Sequence, residues 1–138
     1  MNDQVIKEFR ANEGKVVEAL GGVFRNTELL LLHHIGAKSG AEYVVPLAFM
    51  RDGGAYILLA ANGGRPHHPG WYYNLLAHPG TRIEVGTQAI KVRARETAGA
   101  EREALAARGR TETAPFGRFE QTTARRIPIV VLDPVSGD

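Results

Sequence analysis

From Leu29 to Glu96 the chain repeats one device, a short apolar or alternating run followed by a turn rich in glycine. LLLLHHI (29–35) reads as a buried strand and leads into Gly36-Ala37-Lys38-Ser39-Gly40. YVVPLAFMR (43–51) and AYILLAA (55–61) flank Asp52-Gly53-Gly54 and read as the two arms of one hairpin. TRIEVG and QAIKVRARE form another hairpin around Gly86-Thr87, with Ile90, Val92 and Ala94 alternating against Lys91, Arg93 and Arg95. IPIVVL (127–132) supplies a last buried strand, ended by Asp133-Pro134. Hairpins connected this tightly leave no room for βαβ crossovers, so the sheet is antiparallel and closes as a barrel with helical additions.

The helices sit around that core. Val5, Ile6, Phe9, Val16, Val17 and Leu20 share a face over residues 3–20, with Gly21-Gly22 as the stop and Gly14 as a weak point. Pro69 opens a short helix, GWYYNLLAH, that Pro79-Gly80 ends. Residues 99–109 have strong helix propensity and an acidic first turn, and a shorter helix follows at 115–125. The organisation expected is a helix and lead-in over 1–28 and a barrel over 29–138, forming one domain. Pro46, inside the first arm, marks a strand edge, a bulge or a position lined by ligand.

Several functions are excluded on composition. There is no cysteine, hence no thiolate metal site, disulfide framework or cysteine nucleophile. No run approaches the ~18 apolar residues of a membrane span, and the N-terminus lacks the pattern of a signal peptide. Ser39 and Ser136 stand outside any GxSxG elbow, and the paired histidines His33-His34 and His67-His68 lack metal-ligand spacing. No metal site is expected. Net charge is +2, but residues 29–95 hold seven basic and three acidic side chains, flanked by slightly acidic ends. A basic middle suits an anionic ligand; the basic residues are scattered, with no pattern for reading nucleic acid.

Three loops rich in donors could hold such an anion. Gly36-x-Lys38-Ser39-Gly40 combines converging N–H groups, a hydroxyl and a point charge. Asn62-Gly63-Gly64-Arg65 ends another strand, and the helix start at Pro69-Gly70-Trp71 points N–H donors outward. Trp71, Tyr72, Tyr73, Phe116 and Phe119 are either core residues or walls around a flat ring.

In sequence these parts are GxKSG, Pro-Leu before the turn, Asp-Gly-Gly, a strand leading to Gly-Gly, Pro-x-Trp-Tyr-x-Asn-Leu and Ile-Pro-Ile-Val-Val, over about residues 28–134. In that order and spacing the chain resembles the deazaflavin-dependent nitroreductase family, which uses coenzyme F420 on a split β-barrel. The resemblance implies a mainly β (α+β) fold, a split antiparallel barrel with an N-terminal helix and two or three short helices. It implies hydride transfer from reduced deazaflavin to a quinone, enone or nitro-type planar acceptor. By resemblance the cofactor's acidic tail lies at Ala37, Lys38 and Ser39, and the segment Tyr43, Val44, Val45, Pro46, Leu47, Ala48 lines the cofactor. Leu59, Ala60, Ala61 and Asn62 lie beneath the ring, and Gly70, Trp71, Tyr72, Tyr73 and Asn74 offer terminal donors. Ala48, Thr113, Phe116 and Phe119 face the substrate, and the proton comes from water, Tyr72 or Tyr73. Relatives often carry basic residues where this chain has Ala37, Tyr43 and Asn62, so Arg65 is the expected compensating charge. Two alternatives stand beside this reading: a non-catalytic binder on the same barrel, and a reductase that holds FMN. A cytoplasmic protein is expected, with room for peripheral membrane contact but no stable insertion, and homodimers are common among such barrels.

Overall fold

Strand β1 (Leu29–Ile35) pairs with β2 (Glu42–Ala48) in full antiparallel register, from Leu29 opposite Ala48 to Ile35 opposite Glu42. The computed structural model describes residues 2–135; Ser136 lies outside them. β3 (Met50–Asp52) pairs with β4 (Ala55–Leu59), and β5 (Gly80–Val85) with β6 (Gln88–Glu96). β7 (Ile129–Pro134) lies between β6 and β4. The order across the sheet is β2-β1-β5-β6-β7-β4-β3.

That order forces curvature. Ala48 ends one edge strand and Met50 begins the other, with Phe49 alone between them. A single residue spans no more than a few ångströms, so the two edges must approach each other and the sheet must curl into a split barrel. The expectation of one hairpin over 43–61 is corrected here. Residues 43–48 pair with β1, whereas 50–52 pair with β4. Pro46 lies in an edge strand, opposite Leu31, where a missing N–H is tolerated.

Alternation gives the curled sheet two apolar faces. Leu30, Leu32, Ile83, Val92, Val130 and Leu132 point into the barrel, and the helix α3 (Gly70–Ala77) packs Trp71, Tyr72 and Leu75 among them. Outside, helix α1 (Asn2–Ala11) lays Val5 and Phe9 over Leu29 and Leu31. On the opposite flank α4 (Gly99–Glu112) and α5 (Ala114–Thr122) cover Ile57, Ile129 and Val131 with Leu105, Ala106 and Phe116.

The N-terminal helix is shorter than its apolar pattern predicts. It ends at Ala11, and the chain then turns through Glu13 and Gly14, both with positive φ. A Cβ at Gly14 would lie 2.7 Å from the Gly86 Cα, so glycine is needed for the backbone to cross the β5–β6 turn. The Glu8 carboxylate accepts from the N–H groups of Val17 and Ala19, both at 2.8 Å, and of Glu18. Those bonds hold it below the usual carboxylate pKa and fold the lead-in back on α1, with a helical turn, α2, at Ala19–Gly22.

Candidate functional site

Two clefts lie at opposite ends of β2. At its start, the loop after β1 is closed by Gly36 N–H donating to the Ala41 carbonyl at 2.8 Å and Gly40 N–H to the Gly36 carbonyl at 2.9 Å. A side chain at Gly36 would run into Ser39 Oγ, which accepts from the Ala41 N–H. Asn74 on α3 locks this loop in place. Its Oδ1 accepts from the Ala37 N–H at 2.9 Å, and its Nδ2 donates to His34 Nδ1 at 2.9 Å. Burial, and secondarily His33, holds His34 below the ordinary imidazole pKa, which suits this accepting role. The His34 ring also stacks on Tyr43 at 5.4 Å.

The resulting cleft, about 700 Å³, is lined by Ala37, Lys38, Ser39, Tyr43, Gly70, Tyr73 and Asn74 with His34 and Gly36. Lys38 is exposed and, among the described residues, forms no ion pair. Gly70 contributes the N-terminus of α3, where the helix dipole favours negative charge. Two of the three donor loops are thus joined. The third divides differently: Asn62 Nδ2 donates to the His67 carbonyl, and Arg65 is exposed but does not line this cleft.

At the other end of β2 is an apolar pocket of about 130 Å³, where the two sheet edges meet. Ala48, Phe49 and Met50 form one wall, Leu59 and Ala61 the floor, and Thr113, Pro115, Phe116 and Phe119 the roof. All four residues expected on the substrate side are therefore brought together. Gly109 and Gly64 allow it: a Cβ at either would stand 3.0 Å from the ring of Phe116 or Phe119. The Thr113 hydroxyl donates to the Gly109 carbonyl at 2.8 Å, so its one donor is already engaged. Tyr43 and Ala48 are five strand residues apart, which separates the clefts by about 17 Å at the usual rise.

The remaining expected residues fall elsewhere. Val45 and Leu47 pack on the barrel interior with Ala60, Trp71 and Tyr72, while Val44 packs under α1. The Tyr72 hydroxyl donates to Glu96 Oε1 at 2.5 Å. Burial first, and that carboxylate second, push its pKa up to about 12. Tyr73 is half exposed and lines the polar cleft; neither tyrosine lines the apolar pocket. His33, on the opposite face of β1 from His34, is buried with its Nε2 2.7 Å from Glu84. Among the described residues no three histidine or acidic side chains gather as a metal site.

Arg125 and His68 carry no local signal in the sequence, yet they organise the floor of the site. The Arg125 guanidinium reaches Ala60, Ala61, Arg65 and His68, residues 57 to 65 positions away. Only the fold brings these groups together.

A model of the family described as F420H(2)-dependent quinone reductase matches residues 3–134 of the chain. An F420H(2)-dependent quinone reductase of Mycobacterium tuberculosis (strain H37Rv) is 32% identical over 127 residues, 90% of this chain and 83% of that protein. A solved structure described as an F420-H2 dependent reductase aligns with a TM-score of 0.70 and 33% identity, covering 76% of this chain and 93% of its own. Another, described as a domain-swapped dimer, aligns at 0.72 and 30% identity over 95% and 98%. No helix among the described residues is long and apolar enough to cross a membrane.

Proposed function

The chain belongs to the F420H(2)-dependent quinone reductase family, and from that premise we propose that its two clefts divide one cofactor between them. The donor set suits this. Lys38 and the α3 N-terminus suit a phosphate and glutamyl tail, the N–H groups of Gly36, Ala37, Gly40 and Ala41 being spent within the loop and on Asn74. The pocket at Leu59, Ala61 and Phe116 suits flat rings. When bound, reduced coenzyme F420 supplies a hydride for transfer to a quinone.

The residues of this chain contribute alignment and exclusion of water. Phe116, Phe119 and Pro115 roof the pocket and hold a planar acceptor against whatever lies on Leu59 and Ala61. Hydride transfer depends on that alignment more than on acid–base groups. A quinone that has gained a hydride needs one further proton to become a hydroquinone. The Thr113 hydroxyl is bonded to Gly109, and Tyr72 and Tyr73 lie outside the pocket wall. We assign that proton to water.

The single observation that carries this reading is the convergence of Ala48, Thr113, Phe116 and Phe119 with Leu59 and Ala61 around one apolar pocket. Fluorescence titration with oxidised F420, then turnover of menadione with the reduced form, tests it. Binding with turnover above the uncatalysed rate is expected; binding without turnover would make the chain a carrier, and no binding at micromolar concentrations would sink the reading. A homodimer is the matching proposal for assembly, supported by the dimer described for one structural relative. Light scattering at the working concentration decides it.

A further inference from the structure

Arg125 lies in the linker between α5 and β7, outside both clefts, yet its guanidinium reaches four residues of the 60–68 segment. Its Nη2 donates to the Ala61 carbonyl at 2.8 Å and the Ala60 carbonyl at 3.2 Å, and its Nε to the Arg65 carbonyl at 3.1 Å. Nη1 lies 2.8 Å from His68 Nδ1. A guanidinium has no acceptor, so His68 must accept at Nδ1 and is neutral, with its proton on Nε2.

We propose that Arg125 is a positioning residue, which with neutral His68 clamps the 60–68 loop and so fixes both the floor of the apolar pocket and the flank of the polar cleft. The inference rests on the reading that this floor supports the deazaflavin. Two directions of contact make the clamp effective. Ala61 lines the apolar pocket. His68 packs against Tyr72 at 4.8 Å and Tyr73 at 5.7 Å, and Tyr73 lines the cleft. One fork therefore sets the spacing between the ring site and the tail site. Lysine could supply the charge but not the planar fork that spans four acceptors.

The clamp carries its own pH dependence. Protonating His68 removes the acceptor and sets two cations 2.8 Å apart. The charged and titratable groups facing His68 are Arg125 from the linker, Tyr72 and Tyr73 from α3, and Glu96 from β6. Burial and Arg125 lower the His68 pKa, and the more distant Glu96 opposes them. The clamp is thus complete above the ordinary imidazole value and is lost as pH falls through the lowered one.

The test uses the full chain and reads cofactor affinity by fluorescence together with kcat and KM from pH 5 to 8. Wild-type protein should lose kcat/KM for the cofactor on the acid side while kcat at saturation stays level. His68→Asn, whose Oδ1 can accept from Arg125 without titrating, should shrink that acid limb to the part carried by His34 in the polar cleft and keep neutral-pH affinity. Arg125→Lys should weaken cofactor binding by about tenfold, the scale of losing one or two hydrogen bonds, with kcat changed far less. If Arg125→Ala does not fold, the lysine and asparagine variants carry the test. An acid limb undiminished in His68→Asn, or unchanged affinity in Arg125→Lys, overturns the clamp. Failure of the wild-type protein to bind cofactor at any pH would instead overturn the functional reading beneath it.

Discussion

The two ends of β2 solve opposite problems with the same strand. At Tyr43 the surroundings are open, polar and organised by hydrogen bonds: Asn74 pins the loop, and Lys38 is exposed with no ion pair among the described residues. At Ala48 they are apolar and organised by packing: Phe116 is 2% exposed, and two glycines let helices close over the space. A polar end of this kind contributes affinity without constraining the barrel, because its groups are already solvated when empty. The apolar end is continuous with the core beneath α4 and α5, so its shape and the stability of the fold cannot be separated.

The largest expected effect comes from breaking the apolar end. Phe116→Ala should cost about 3–5 kcal/mol of stability, the usual range for emptying a buried aromatic site. Thermal melting checks the loss, and turnover of menadione should collapse with it. At the polar end Lys38→Ala should leave the melt unchanged, because the amine has no ion-pair partner among the described residues. It should weaken cofactor binding by about 1–3 kcal/mol, the scale of a hydrogen bond to a charged group. Its binding should also become less sensitive to salt. Should Lys38→Ala lower the melting temperature, or Phe116→Ala spare it, the division between the two ends is wrong.

Each end was legible in the sequence to a different degree. The polar loop could be read locally, since Gly36, Lys38, Ser39 and Gly40 are neighbours whose chemistry is short-range. The strands β1, β5 and β6 were equally plain, because alternation reports burial. What misled was pairing. Nothing in YVVPLAFMR says that the chain changes sheet edge at Phe49, since both halves are apolar and extended. The N-terminal helix misled for a related reason: its early end follows from Gly14 meeting Gly86, a contact across 72 positions. The residues that meet in the apolar pocket were named through resemblance, but Arg125 and His68 were not found, because a guanidinium bonding to main-chain carbonyls leaves no periodic trace. Alternation and spacing report an element's own face; they are silent on what arrives from elsewhere.

The smallest effects lie between the two ends, at adjacent tyrosines with different surroundings. Tyr72 is buried in the barrel with its hydroxyl on Glu96, so Tyr72→Phe should cost about 1 kcal/mol of stability, one hydrogen bond. Because its folded pKa stands at about 12, above the ordinary 10.0, that contribution is complete below pH 10 and fades as pH rises through 12. Denaturant midpoints at neutral pH should show the loss, with kcat unaffected. Tyr73, half exposed in the polar cleft, should tolerate Tyr73→Phe within about 0.5 kcal/mol, as surface substitutions do. Its kcat with a quinone should stay within about twofold if, as proposed, the proton comes from water, since a lost general acid typically costs a hundredfold or more. A kcat fall of that larger size in Tyr73→Phe would move the acid to the polar end and the acceptor with it, and the assignment of the acceptor to the apolar pocket would be wrong.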